Sequence, residues 1–114
     1  MAVMNETFAF MESETKRLAE KYFYVIPDVD FPEHLSEHGK QLTAKCSFYP
    51  ENKKWTIFYW KKLFNNCKLS DYEDRKLMLR TICHEICHLK WNHGEPEFKK
   101  NVLSIRMKEI RFYD

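Results

Sequence analysis

Apolar residues recur three or four positions apart over residues 5–23, with charged side chains on the remaining faces. This spacing predicts an amphipathic helix, which Pro27 separates from the chain that follows. The aromatic and β-branched residues 22–26 favour a short strand, and residues 28–40 predict a loop or a strand with a turn. The apolar positions of the helix are Phe8, Met11, Leu18 and Tyr22.

Apolar and polar residues alternate in the next two segments, which is the spacing of β-strands. Residues 41–49 place apolar side chains at every second position and predict a half-buried strand. Residues 50–53 predict a turn, and residues 55–60 predict a second strand that is apolar on both faces. We therefore expect an antiparallel hairpin with a loop of about four or five residues.

The second half of the chain returns to helical spacing. Ser70 and Glu73 match a capping box, so a helix is expected to begin there and run to about Trp91. Pro96 suits the first turn of a last helix, expected over residues 97–111. This order predicts an α+β fold with an N-terminal helix, a small sheet of about three strands that includes antiparallel pairing, and two further helices. The positions expected to face the interior are Leu77, Met78, Ile82, Ile86 and Leu89, then Phe98, Val102, Ile105, Met107 and Ile110.

The composition suits one compact domain over residues 1–114, because 44% of the 114 residues are hydrophobic. A net charge of +2 does not by itself indicate a nucleic-acid partner. No run of about 18 apolar residues predicts a membrane span. The N-terminus lacks the basic and apolar regions of a secretory signal. We therefore expect an intracellular monomer that does not enter a membrane.

The four cysteines do not encode a second metal site, because none of them forms a C-x-x-C pair. Cys83 and Cys87 are four positions apart and could approach each other on a helix. A thiol redox module is therefore one alternative function. Reduced core cysteines in an intracellular protein are the interpretation we favour.

Residues 84–88 read His-Glu-x-x-His and lie inside an apolar-periodic segment. On a helix, His84 and His88 share a face and can converge on one metal ion, at about 2.0–2.1 Å if the metal is zinc. Glu85 is rotated off this face, toward the position of a bound water, where a carboxylate can act as a general base. This motif therefore predicts a catalytic metal site.

A third histidine, His93, follows His88 by five positions and is itself followed by Gly94. On a continuing helix, its side chain would point about 140° away from the ligand face. The helix must therefore end near Trp91 or Asn92 if His93 is to reach the metal. Asn92 and Gly94 are residue types that tolerate the left-handed conformation common at helix ends.

These segments together resemble the SprT-like zinc metalloprotease domain, the family of Spartan and bacterial SprT. The related YgjP-like metallopeptidases share the motif and an Asn-His pair like residues 92–93. The resemblance covers residues 20–112, although its specific part is the block from His84 to Phe98. The residues on which it rests are His84, Glu85, His88, His93 and Gly94, with Pro96, Glu97 and Phe98 echoing a family His-Gly-Pro-Glu-Phe motif.

The resemblance implies a zincin-like fold and a zinc endopeptidase in which His84, His88 and His93 hold Zn²⁺ and Glu85 is the general base. It further implies protein substrates that are bound or crosslinked to DNA, as in DNA–protein crosslink repair. Glu95 interrupts the family motif and the loop before His93 is short, so Glu95 and Glu97 stay open as alternative third ligands. The zinc ribbon of bacterial SprT is absent from this sequence.

Basic residues flank the second strand and its tryptophans, a pattern that can track a nucleic-acid backbone and stack bases. Single-stranded or damaged DNA is therefore a predicted partner, with a solvated sheet edge as the alternative. A non-catalytic zinc-containing nucleic-acid-binding or adaptor module is the alternative to an enzyme. Tyr49, Tyr59 and Tyr72 are open candidates for an oxyanion donor. The predicted DNA-contacting residues are Lys53, Lys54, Trp55, Trp60, Lys61 and Lys62.

Overall fold

Four helices, a three-stranded sheet and a small two-stranded sheet make up residues 5–110, the part of the chain described by the computed structural model. The mixed α+β class predicted from the sequence is confirmed. In chain order the elements are α1 (Glu6–Phe23), β1 (Asp28–Asp30), β2 (Ser36–Glu37), β3 (Lys40–Gln41), β4 (Ala44–Tyr49), β5 (Lys54–Tyr59), α2 (Lys61–Phe64), α3 (Tyr72–Cys87) and α4 (Pro96–Glu109).

Helix α1 has a defined cap at each end. The Asn5 side chain accepts hydrogen bonds from the backbone N–H groups of Thr7 and Phe8, which have no partner inside the helix. At the other end, Tyr24 adopts a left-handed conformation with φ 57°. The predicted helix is therefore confirmed, and Met11 and Leu18 on its apolar face are fully buried.

Strand β5 is the centre of the three-stranded sheet, with β1 parallel to it on one side and β4 antiparallel on the other. The predicted hairpin is confirmed, and its alternation places Ile57 and Tyr59 in the core. The strand predicted at residues 22–26 is wrong, because the left-handed Tyr24 interrupts an extended backbone there. The first strand instead begins at Asp28, where the chain can pair with Thr56.

The predicted strand over residues 41–49 begins three residues late. Residues Lys40–Gln41 pair with Ser36–Glu37 in the small two-stranded sheet. The turn between them uses positive φ at His38 (51°) and Gly39 (75°). The local turn therefore takes the start of the predicted strand away from the main sheet.

Helix α3 packs against α1, α4 and β4. Its N-cap is Asp71, whose side chain accepts from the Asp74 backbone N–H at 2.9 Å, so the predicted Ser70–Glu73 box is wrong by one residue. The prediction that Leu77 faces the interior is also wrong. This residue is 39% exposed, because the buried face of the helix passes through its neighbours Met78 and Leu79. The other buried positions of α3 are Ile82, Cys83, Glu85, Ile86 and Cys87.

Helix α4 begins with Pro96 in its first turn, as predicted. Phe98, Val102 and Ile105 are buried, whereas Met107 is 65% exposed and does not face the interior. No helix among residues 5–110 is both long enough and apolar enough to cross a bilayer.

Candidate metal centre

The end of α3 brings the two motif histidines onto one face. The ring centroids of His84 and His88 are 5.1 Å apart. Both side chains are half-buried, because the helix packs its opposite face into the core through Ile82 and Ile86. The four-residue spacing therefore has the effect predicted from the sequence.

Helix α3 ends earlier than predicted, and its last turn has a different backbone conformation from the one predicted. Its last residue is Cys87 and its C-cap is His88, in a right-handed conformation. The turn then continues with the Trp91 backbone N–H donating to the Cys87 carbonyl at 2.9 Å. Asn92 and Gly94 are not among the positive-φ residues, so the predicted left-handed break at these positions is wrong. Turns over residues 88–90 and 93–94 return the chain toward α3 without a left-handed residue.

This turn places His93 beside the other two rings. Its Nε2 lies 3.1 Å from Nε2 of His84 and 3.3 Å from Nε2 of His88. Donors bound to one tetrahedral zinc ion at about 2.0–2.1 Å lie about 3.3 Å apart, so the two separations match that geometry. The three histidines are therefore close enough to bind a single metal ion.

The structure favours His93 over the two glutamates as third ligand. Among residues 5–110, the three histidines alone form a cluster whose ligand atoms lie within 4.8 Å of one another. The Glu95 carboxylate accepts from the Asn92 side-chain amide at 3.4 Å. Neither Glu95 nor Glu97 belongs to the cluster.

Hydrogen bonds alone do not account for this arrangement of rings. The Trp91 carbonyl accepts from Nδ1 of His88 at 3.0 Å, which leaves the lone pair of a neutral His88 on Nε2. A single N–H at Nε2 of His93 can donate a hydrogen bond to His84 or to His88, but not to both. A single cation would satisfy all three nitrogens together. The chemistry of the donor set therefore fits a metal.

Two features that were not predicted from the sequence hold the rings in place. The Trp91 carbonyl fixes the His88 tautomer through the 3.0 Å hydrogen bond, as partners of metal-bound histidines do. Phe98 stacks on His88 with centroids 4.3 Å apart and contacts His84 and His93 edge-on at 5.0 and 5.1 Å. Helical spacing predicted that Phe98 faces inward, but nothing in its spacing showed what it would contact.

Burial keeps the motif histidines neutral. Burial, together with smaller contributions from His88, His93 and Arg106, lowers the pKa of His84 to about 4. Burial also lowers the pKa of His88. Neutral imidazole is the form that binds a metal, so these rings need not lose a proton near neutral pH.

Glu85 is the one buried carboxylate of the described core, with 6% of its surface exposed. Burial alone raises its pKa to about 8. Its Oε2 lies 3.9 Å from Nε2 of His84, so the acid is adjacent to the donor cluster. A cation held by the histidines would lower this pKa toward neutrality, where a carboxylate exchanges protons most effectively.

Two of the three candidate oxyanion donors lie in unsuitable places. The Tyr59 hydroxyl is fully buried and hydrogen-bonded to Thr15 at 2.8 Å. Tyr72 begins α3, twelve residues before His84, which is about 18 Å along the helix. Tyr49, exposed at the end of β4, stays a prediction.

The predicted DNA-contacting residues fall into two groups at opposite ends of β5. Residues 53–55 lie at the start of the strand, and residues 60–62 lie beyond its end, about 16 Å away. Trp55 packs against Phe48 with ring centroids 5.0 Å apart. The Trp60 indole donates to the Glu33 carbonyl at 3.1 Å. The structure does not unite these residues in one groove, and DNA binding stays a prediction.

The cysteines are placed as the favoured interpretation expected. All four are free, and Cys83 and Cys87 are fully buried. Burial raises the pKa of each of these two thiols to about 12, which suppresses the reactive thiolate. The geometry therefore disfavours the redox module.

Similarity to known proteins adds nothing to this geometry. No family model matches the chain, and no curated protein or solved structure is significantly similar to it. The three clustered imidazoles and the buried acid beside them are therefore the features that indicate a function.

Proposed function

We propose that this protein is a zinc-dependent endopeptidase of the SprT-like type. The observation that supports this most is the convergence of three Nε2 atoms, with separations of 3.1 and 3.3 Å, beside the buried Glu85. The placement of the histidine helix against a small mixed sheet supports a zincin-like fold.

The three histidines would hold zinc and leave one coordination position open, which distinguishes catalytic from structural zinc sites. A bound zinc ion supplies a Lewis acid that polarises a carbonyl and acidifies water. His93 is exposed, so the open side of the site is accessible to a polypeptide. The hydrogen bond from His88 to the Trp91 carbonyl and the packing of Phe98 orient the ligands.

Glu85 would act as the general base and then as the general acid. Its carboxylate accepts a proton from the attacking water and passes it to the leaving amine of the cleaved peptide bond. The high pKa that burial gives this group favours proton acceptance. The same burial excludes bulk water from the carboxylate, so its proton is retained for the leaving group.

The alternative is a non-catalytic module in which zinc only stabilises the fold. A closed structural site needs four protein ligands and has no role for an adjacent buried acid. The described residues offer three ligands together with such an acid. This combination favours the enzyme.

The decisive experiment compares zinc content and casein cleavage in the wild type and in Glu85→Gln. The variant keeps the shape of the side chain but cannot accept a proton. We expect it to bind one zinc ion per chain and to lose cleavage by about 10²–10⁴-fold, the usual contribution of a general base. Glu97→Gln, an exposed acid near the site, is the matched control and should cleave normally. Unchanged cleavage by Glu85→Gln would disprove the mechanism.

We further propose that the substrates are proteins associated with DNA. Lys53 and Lys62 are exposed at the two ends of β5 and could contact separate phosphates. We expect single-stranded DNA to bind with an affinity that falls steeply with salt. Lys53→Glu with Lys62→Glu should weaken binding more than Lys40→Glu on the small sheet. Salt-independent affinity, or none, would reject DNA as a partner.

A further inference from the structure

An open groove of about 830 Å³ runs between α3 and α4. Lys76 and Arg80 line it from α3, and seven residues between Lys100 and Ile110 line it from α4 and its C-cap. From Lys100 to Ile110 this lining extends about 15 Å along the helix axis. None of the metal-site histidines lines this groove.

The groove is cationic. Among the residues described, its lining includes five basic side chains and no acidic one. Glu109, which could have balanced them, binds Lys21 and Tyr22 of α1 at 2.8 and 2.5 Å. The five basic residues are Lys76, Arg80, Lys100, Arg106 and Lys108.

The Arg106 side chain reaches from α4 to the backbone of α3 at Arg80. The Arg106 guanidinium donates to the Arg80 backbone carbonyl at 3.0 Å. Burial lowers the pKa of Arg106, and the charge of Arg80 lowers it further. An anionic group bound in the groove would relieve this repulsion.

Apolar side chains lie among the charges. Leu103 is 59% exposed and Met107 is 65% exposed, and they are one helical turn apart. Ile110 closes the apolar surface at the end of α4. Leucine and methionine side chains at this spacing are a surface on which the apolar face of another helix packs.

We infer that this groove binds an acidic amphipathic helix of a partner protein. Apolar residues four apart on that helix would pack on Leu103 and Met107, and flanking Asp or Glu would pair with Arg80, Lys100 and Lys108. A helix of about ten residues matches the 15 Å length. Nucleic acid fits less well, because the described residues that line the groove include no aromatic side chain for base stacking.

The inference goes beyond the proposed peptidase and is tested by binding alone. The probe is a fluorescein-labelled peptide of about 14 residues, because shorter helices are marginal in water. It has two leucines four positions apart, with glutamates on both sides of them. A scrambled peptide of the same composition places the leucines on opposite faces. Fluorescence anisotropy at low salt measures affinity, and circular dichroism checks that each protein variant is folded.

We expect the amphipathic peptide to bind at least tenfold more tightly than the scrambled one. Lys100→Glu with Lys108→Glu should weaken binding at least tenfold, and Leu103→Ser with Met107→Ser should do the same. Lys99→Glu is the matched control, an exposed lysine on α4 outside the groove, and should change affinity less than twofold.

Three results would overturn the inference. One is equal affinity for the two peptides, which would indicate charge attraction without a helix site. Another is wild-type affinity in both double variants. The third is tighter binding of single-stranded DNA, or of vesicles containing phosphatidylserine, that is lost in the same variants.

Discussion

Two buried polar groups in this molecule have opposite environments. The Tyr59 hydroxyl, on β5, donates to Thr15, which in turn donates to the Met11 carbonyl. The Glu85 carboxylate, on α3, is buried almost as deeply, yet burial is the only cause that raises its pKa. A buried group with partners holds elements of the fold together. Glu85 is a buried acid whose raised pKa is not offset by a hydrogen bond from any described residue. It lies beside three imidazoles and is placed for chemistry.

The largest effect in this comparison should come from the donor cluster itself. Zinc binds four-ligand sites with about 10–16 kcal/mol, so each ligand contributes roughly 3–4 kcal/mol. His93→Ala should therefore weaken zinc affinity by about 10²–10³-fold, measured by competition with a chelator. His38→Ala, which removes an exposed histidine of the small sheet, should leave the affinity unchanged. Equal zinc affinities for these two variants would show that His93 is not a ligand.

The second prediction concerns pH and the metal-free protein. The folded state raises the Glu85 pKa from 4.5 to about 8, so it holds this proton more tightly than the unfolded chain does. The stability this provides is lost as pH rises from 4.5 through 8. Relative to Glu85→Gln, the wild type should therefore lose on the order of 3 kcal/mol between pH 5 and 8.

Urea unfolding of both proteins with a chelator present measures this difference. The low pKa of His84 affects both proteins alike and cancels in the comparison. A difference between the two proteins that does not vary with pH would show that Glu85 is solvated rather than buried.

The third prediction concerns Phe98, whose ring contacts all three histidines. Phe98→Leu removes the stacking on His88 and the edge contacts with His84 and His93. Zinc affinity should fall about tenfold, as it does when groups around the ligands are changed. Val102→Ala is the control, since it opens a cavity at a buried position one turn further along the same helix. It should lower stability without changing zinc affinity, and an equal loss of affinity in both variants would contradict a positioning role for Phe98.

The smallest effect belongs to the partnered group. Tyr59→Phe removes one buried hydrogen bond to Thr15 and should lower the free energy of unfolding by about 1 kcal/mol. Zinc affinity and cleavage should not change. Thermal unfolding and a casein assay on the same sample check both statements. A large loss of cleavage would show that Tyr59 has more than a structural role and would contradict the contrast with Glu85.

Local sequence patterns predicted the parts of the site that depend on a single helix. His84 and His88 converge because a helix repeats every 3.6 residues, and that follows from spacing alone. His93 was predicted to reach the metal through a left-handed helix end, but the chain returns without a left-handed residue at Asn92 or Gly94. Asn92 and Gly94 permit a left-handed backbone without requiring one.

The features that were missed depend on residues far apart in sequence. Strand β1 forms where Asp28 meets Thr56, a pairing that no local pattern specifies. The contact of Phe98 with the three rings depends on how α4 folds back onto α3. The basic residues near β5 lie in two separate groups because the strand is six residues long and α2 begins directly after it.

X-ray absorption at the zinc edge tests the central claim most directly, because it reports the atoms around the metal in solution. The protein loaded with one zinc ion should show three imidazole nitrogens and one oxygen at about 2.0–2.1 Å. Glu85→Gln should give the same spectrum, since Glu85 is not a ligand. A sulfur ligand, fewer than three imidazoles, or a protein that takes up no zinc would contradict the account.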